Sequence, residues 1–101
     1  MKNQANQLTR YIEELRQNMP ELVKRYKVKS IGVFGSYVHG APNKRSDLDV
    51  LVEFYELPGL LKFIEMEYYL SDLLGVKVDL VMKDALKPAI GQRVLGEVIA
   101  V

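Results

Sequence analysis

Val28-Lys29-Ser30-Ile31-Gly32-Val33-Phe34-Gly35-Ser36, ten further residues, and then Asp47-Leu48-Asp49-Val50-Leu51-Val52-Glu53-Phe54 decide how this chain folds. Both apolar runs have strand composition, and the first stops at a small-residue turn. In the second, Leu48, Val50, Val52 and Phe54 alternate with Asp47, Asp49, Leu51 and Glu53. Side chains two apart on a strand point the same way, so one face is wholly apolar and belongs to a core. The other face begins with two carboxylates.

Working outward, Leu8, Ile12, Leu15, Met19, Leu22, Val23 and Tyr26 follow the spacing of an amphipathic helix, with Pro20 inside it. Proline suits a first helical turn and not an interior, so the expectation is two short helices, about 4–17 and 19–26. Residues 36–40 can form a helical turn before the loop of turn formers from Gly40 to Ser46. After Pro58-Gly59, the apolar positions from Leu60 to Leu74 predict a helix ended by Gly75, with its broad apolar face assigned to the core. Val76–Met82 predicts a third strand, with Val76, Val78, Leu80 and Met82 on one face and Lys77, Asp79 and Val81 on the other. A last helix begins near Pro88, at about 88–95, and residues 96–101 either continue it or turn into an edge strand. The order predicts an α/β (mixed α+β) domain, a small mixed β-sheet flanked by helices, with residues 1–101 as a single domain.

Composition narrows the function classes. A formal charge of +1 gives no overall pull toward nucleic acid or an anionic membrane, so neither is the expected partner. The absence of cysteine excludes disulfides and thiolate metal sites. The polar start of the chain lacks a signal-peptide core, and no apolar run approaches a membrane span, so a cytoplasmic protein is expected.

The carboxylates carry the chemistry. Side-chain roots two apart on a strand lie roughly 6.5–7 Å apart, which lets Asp47 and Asp49 share a metal ion or bracket a pair of them. Mg²⁺ fits hard oxygen ligands and completes its shell with water and phosphate. Asp79, in the middle of an apolar strand, joins the site if the third strand lies beside the second. Carboxylates so close repel one another unless divalent cations neutralise them. Gly35 allows close backbone approach to an anion, the amides of a following helix start point toward it, and Ser36 adds a hydroxyl.

Gly35-Ser36-x10-Asp47-x-Asp49, on a strand–turn–strand frame with a later Asp79, resembles the signature of the DNA polymerase β nucleotidyltransferase superfamily. The wording Gly-Ser-Tyr-Val-His-Gly…Lys-Arg-Ser-Asp-Leu-Asp-Val is similar to its minimal nucleotidyltransferase (MNT) branch, whose members serve as antitoxins of HEPN-domain ribonuclease toxins. The resemblance runs from about residue 8 to the end. It implies the polymerase β-like nucleotidyltransferase fold and transfer of AMP from ATP to a tyrosine of a partner HEPN toxin. It implies two Mg²⁺ ions held by Asp47, Asp49 and Asp79, with Asp79 helping to activate the attacking hydroxyl and Gly35 and Ser36 cradling the triphosphate. His39 stands where many members have arginine.

Two other readings belong to different classes: an antitoxin acting by steric binding alone, and nucleotidyl transfer to a small molecule or an RNA end. The carboxylate set counts against the first, and the chain's size and charge count against the second. Around the site, His39 is expected as a loop residue near the nucleotide, and Lys44 and Arg45 as phosphate contacts or a solvated loop face. Lys77 is the expected ion-pair partner of Asp79. Tyr37 either stacks on a base or packs on the sheet, and the apolar C-terminal stretch is a candidate partner surface.

Overall fold

The computed structural model of the chain describes residues 4–40 and 47–101. Helix α1 (Gln4–Tyr26) leads into strand β1 (Val28–Phe34), the short helix α2 (Ser36–His39) and strand β2 (Leu48–Phe54). Helix α3 (Leu60–Leu74) and strand β3 (Val78–Met82) follow, then a 3₁₀ turn at Lys83–Ala85, helix α4 (Pro88–Glu97) and the two-residue strand β4 (Ile99–Ala100). The expected turn over 41–46, with Lys44 and Arg45, lies outside the described residues. Among the described residues no helix is long and apolar enough to cross a membrane.

The strands form one mixed sheet in the order β3-β2-β1-β4. β1 is antiparallel to β2 and to β4, whereas β2 and β3 are parallel. The hairpin-like β1–β2 pair and the helical crossover through α3 account for that difference, because parallel neighbours need a long connection.

One sheet face is the core. Val28, Ile31, Val33, Leu48, Val50, Val52, Val78 and Leu80 pack there against Tyr11, Leu15, Leu22 and Tyr26 of α1 and Met66, Leu70 and Leu74 of α3. Gly75 closes α3 in the left-handed conformation at φ 71°, as expected for a helix-ending glycine. Strand β3 sits at one margin of the sheet, and its outward amides are met by α3. Val78 N–H donates to Ser71 Oγ at 2.9 Å and Leu80 N–H to Glu67 Oε2 at 2.8 Å. Four residues of helix and two of strand each advance roughly 6–7 Å, so the two spacings match.

Three expectations are corrected. The N-terminal segment is one helix that runs through Pro20. Pro20 and Arg16, whose carbonyl loses its helical partner, are both exposed, on the helix side away from the core. A proline in a helix interior costs about 3 kcal/mol, whereas burying one large apolar side chain contributes about 1.5–3 kcal/mol. Leu22 and Tyr26, both beyond the proline, are fully buried, and Leu15 anchors the near side, so packing prevails.

The face of α3 is only partly core. Met66, Leu70 and Leu74 are buried, but Leu60, Leu61 and Tyr68 are at least 70% exposed, because a helix lying on a sheet hides a single stripe. Strand β3 also starts at Val78 rather than Val76. The C-terminal alternative resolves in favour of the edge strand: β4 pairs with Gly32 and Val33 of β1.

Candidate active site

The sheet face opposite the core carries the carboxylates, and register sets their arrangement. Phe34 is paired with Asp49 across the β1–β2 ladder, and Asp49 with Asp79 across the β2–β3 ladder. These three side chains form one row across three strands. The next row runs through Gly32, Leu51 and Val81. The third strand therefore lies beside the second, the condition set for Asp79 to join the site, and the two pair in parallel with Asp79 opposite Asp49. Asp47 stands one residue ahead of the first β2 residue instead of within the strand.

Asp49 occupies the crowded centre. Its carboxyl is pushed up to about 6 by burial, by the negative charges of Asp79 and Asp47, and by Glu97. Asp79 itself is exposed. Lys77 does not pair with Asp79 as expected. Its Nζ lies 3.8 Å from Asp47 Oδ2, because residue 77 flanks the start of β2, where its carbonyl accepts from Leu48 N–H at 2.9 Å. Among the described residues no three His, Asp or Glu side chains converge into a ready metal cage. The donor set nevertheless fits a divalent cation. Mg²⁺ needs only one or two carboxylates beside phosphate and water, and such a charge relieves the part of the upward push on Asp49 that comes, after burial, from Asp79 and Asp47.

Gly35 turns the chain from β1 into α2 with φ 84° and ψ −153°, a conformation essentially confined to glycine. Its carbonyl accepts from the N–H groups of Val38 and His39 at 3.0 and 3.1 Å. The Asp49 carboxylate fills the space where a side chain on residue 35 would sit. Thus the turn and the central carboxylate touch. The first amides of a helix have no intrahelical partner, so the Gly35–Ser36 turn offers donors beside the acidic row.

Tyr37 resolves to packing: it is buried, edge-on to Tyr11 with ring centroids 5.6 Å apart. Burial, reinforced by Tyr11, pushes its hydroxyl pKa up. His39 ends α2 rather than standing in a loop, and its Nε2 lies 2.7 Å from Glu97 Oε2. Sequence reading did not single out Glu97. An acidic residue in the last turn of a helix opposes the helix dipole, and that misplacement was the available signal. It couples α4 to the turn after Gly35 and adds charge near Asp49.

An acidic row on an open sheet face, with a glycine–serine turn against its central carboxylate, is the arrangement expected of a nucleotidyl-transfer site on a small mixed sheet. Residues 12–101 match the model of the nucleotidyltransferase domain family, and the chain belongs to that family. The protein adenylyltransferase MntA of Thermococcus cleftensis is 58% identical over 81 residues, covering 80% of this chain and 82% of that one. A solved chain provisionally identified as a minimal nucleotidyltransferase superposes with a TM-score of 0.75 at 33% identity, over 99% of this chain and 97% of its own. A chain in the solved complex of a tri-AMPylated HEPN toxin with its MNT antitoxin from Shewanella oneidensis matches at 25% identity and TM-score 0.60. That match covers 96% of this chain and 70% of that one. The expected fold and enzyme class stand: this is a nucleotidyltransferase of the minimal type.

Proposed function

We propose that the whole chain, residues 1–101, acts as one minimal nucleotidyltransferase domain that neutralises a HEPN-domain toxin in the cytoplasm by adenylylation. AMP passes from ATP to a tyrosine of that toxin. One observation carries the reading: Asp49 and Asp79 are in register on the open face, and Asp49 touches the Gly35 turn. Two of the similar proteins, one named a protein adenylyltransferase and one an MNT antitoxin in complex with an AMPylated toxin, support the same chemistry.

In this reading Gly35 and Ser36 bind the triphosphate through backbone amides and the serine hydroxyl. Asp47, Asp49 and Asp79 would hold two Mg²⁺ ions, which supply charge neutralisation at the α-phosphate and the leaving pyrophosphate. Asp79, the more exposed member of the register pair, takes the proton of the tyrosine hydroxyl as its oxygen attacks the α-phosphorus. The bond to the β-phosphate oxygen breaks, and pyrophosphate departs with the electron pair. Lys77 orients Asp47, and Glu97 holds His39 beside the turn.

The test combines the purified chain, ATP, Mg²⁺ and the HEPN-domain protein encoded beside it, followed by intact mass measurement. The expected result is AMP added to the HEPN protein, abolished by Asp47→Ala and by Asp49→Ala with the fold retained. No adduct under conditions where ATP binds would sink the reading. Persistent protection of cells by Asp49→Ala would favour neutralisation by binding alone.

A further inference from the structure

A cavity of about 130 Å³ opens on the same sheet face as the carboxylates, one row further from the turn. Leu51 forms its floor, Leu95 and Val98 form a wall, and Gly32 and Ala100 line the β1–β4 side. Ser30, Glu53 and Lys83 close its far end, where Ser30 Oγ donates to Glu53 at 2.8 Å and Lys83 lies 3.6 Å from the same carboxylate. Gly32 is what lets the wall approach: a Cβ there would stand 2.5 Å from Val98 Cγ2. Leu95 remains 45% exposed at the rim, although its neighbours are apolar.

We propose that this cavity receives the aromatic ring of the acceptor tyrosine and so selects a phenolic hydroxyl over an aliphatic one. The inference rests on the protein-acceptor reading above and adds to it where the acceptor lies. Attacking and leaving oxygens are in line on opposite sides of a transferring phosphorus. With pyrophosphate leaving toward the Gly35–Ser36 turn, the nucleophile enters from the side of the row behind Asp49. That row is Gly32–Leu51, and the cavity stands on it. Asp49 and Leu51 share a face with roots roughly 6.5–7 Å apart, an interval that a phenol ring lying over Leu51 spans. Its size and walls suit the ring, since an apolar cavity of about 150 Å³ accommodates benzene. A serine or threonine would leave it empty. The Ser30–Glu53–Lys83 cluster lies at the end away from Asp49, where the acceptor's backbone would emerge.

The experiment fills the cavity from its exposed edge. Ala100→Trp places an indole inside it, and Leu95→Asn makes its rim polar without touching the core, so a folding failure in one leaves the other informative. Each is assayed for the KM of the purified HEPN-domain protein by intact mass, and for affinity toward a non-hydrolysable ATP analogue with Mg²⁺ by calorimetry. The expected result is a KM for the HEPN protein raised at least tenfold, with analogue affinity unchanged within twofold. An unchanged KM in both folded variants overturns the cavity assignment alone. Weakened analogue binding overturns it by giving the cavity to the nucleotide, and an adduct on serine or threonine overturns it by giving the wrong acceptor. Absence of any adduct with the wild-type chain overturns the protein-acceptor reading and this inference together.

Discussion

The carboxylate of Asp49 lies where a side chain on Gly35 would have to go. The turn and the central acid are thus one mechanical unit, although they are fourteen positions apart in the chain. Gly35→Ala should therefore disturb both. The backbone at φ 84° and ψ −153° costs a non-glycine residue about 1–3 kcal/mol, and the added methyl must displace Asp49. The expected outcome is a thermal midpoint lower by several degrees and at least a tenfold loss of AMP transfer, read by calorimetry and adduct mass.

Asp49 also sets a pH dependence. Its carboxyl is raised from 3.8 to about 6, chiefly by burial and then by Asp79 and Asp47. Between those values the folded chain holds a proton that the unfolded chain has released, so this group's contribution to stability falls as pH rises. Asp49→Asn should stabilise the metal-free protein by about 1 kcal/mol above pH 6, after discounting for the carboxyl's solvent exposure. The gain should vanish near pH 4. Denaturant titrations at both pH values check this, and the variant should transfer no AMP.

Metal dependence should appear in stability before activity is measured. ATP with Mg²⁺ at a hundred times its dissociation constant stabilises a folded protein by about 2.7 kcal/mol. A chelator should remove that increment from the wild-type chain. Asp47→Ala should show little of it at the same concentrations. Differential scanning fluorimetry suffices.

The amides at the margin of β3 give a separate prediction. Ser71→Ala or Glu67→Ala strands the Val78 or Leu80 N–H, each partly buried. Leaving such a donor unmet costs about 1–3 kcal/mol, and the partial exposure here favours the lower figure. Chemical denaturation should show a loss of about 1 kcal/mol for each variant, with catalysis retained.

Much of this fold was legible because its elements are locally consistent. β1 and α3 match their expected bounds, since alternation, Gly35 and Gly75 all point the same way. Asp47, Asp49, Asp79, Gly35 and Ser36 were found as a pattern, and strand parity alone put Asp49 and Leu51 on one face. What escaped reading depends on tertiary contact. Pro20 breaks a local rule, and only the burial of Leu22 and Tyr26 overrides it. Leu60, Leu61 and Tyr68 have core composition, but which helical stripe meets the sheet is decided by Met66 and Leu70. Lys77 joins Asp47 instead of Asp79 through register, and Glu97 reaches His39 across the fold, beyond any spacing rule.

The bonds from Ser71 and Glu67 to β3 have a consequence at the scale of many molecules. A sheet margin with free amides invites a stray strand from another chain, and that is how edge-to-edge aggregates begin. Here α3 has already taken the donors that such a strand would seek, and Lys77 and Lys83 flank β3 as charged bumpers. High concentration is thus compatible with an open, acidic sheet face, because the β3 margin of the sheet is closed from within. Variants lacking Ser71 or Glu67 should scatter light at concentrations where the parent stays clear.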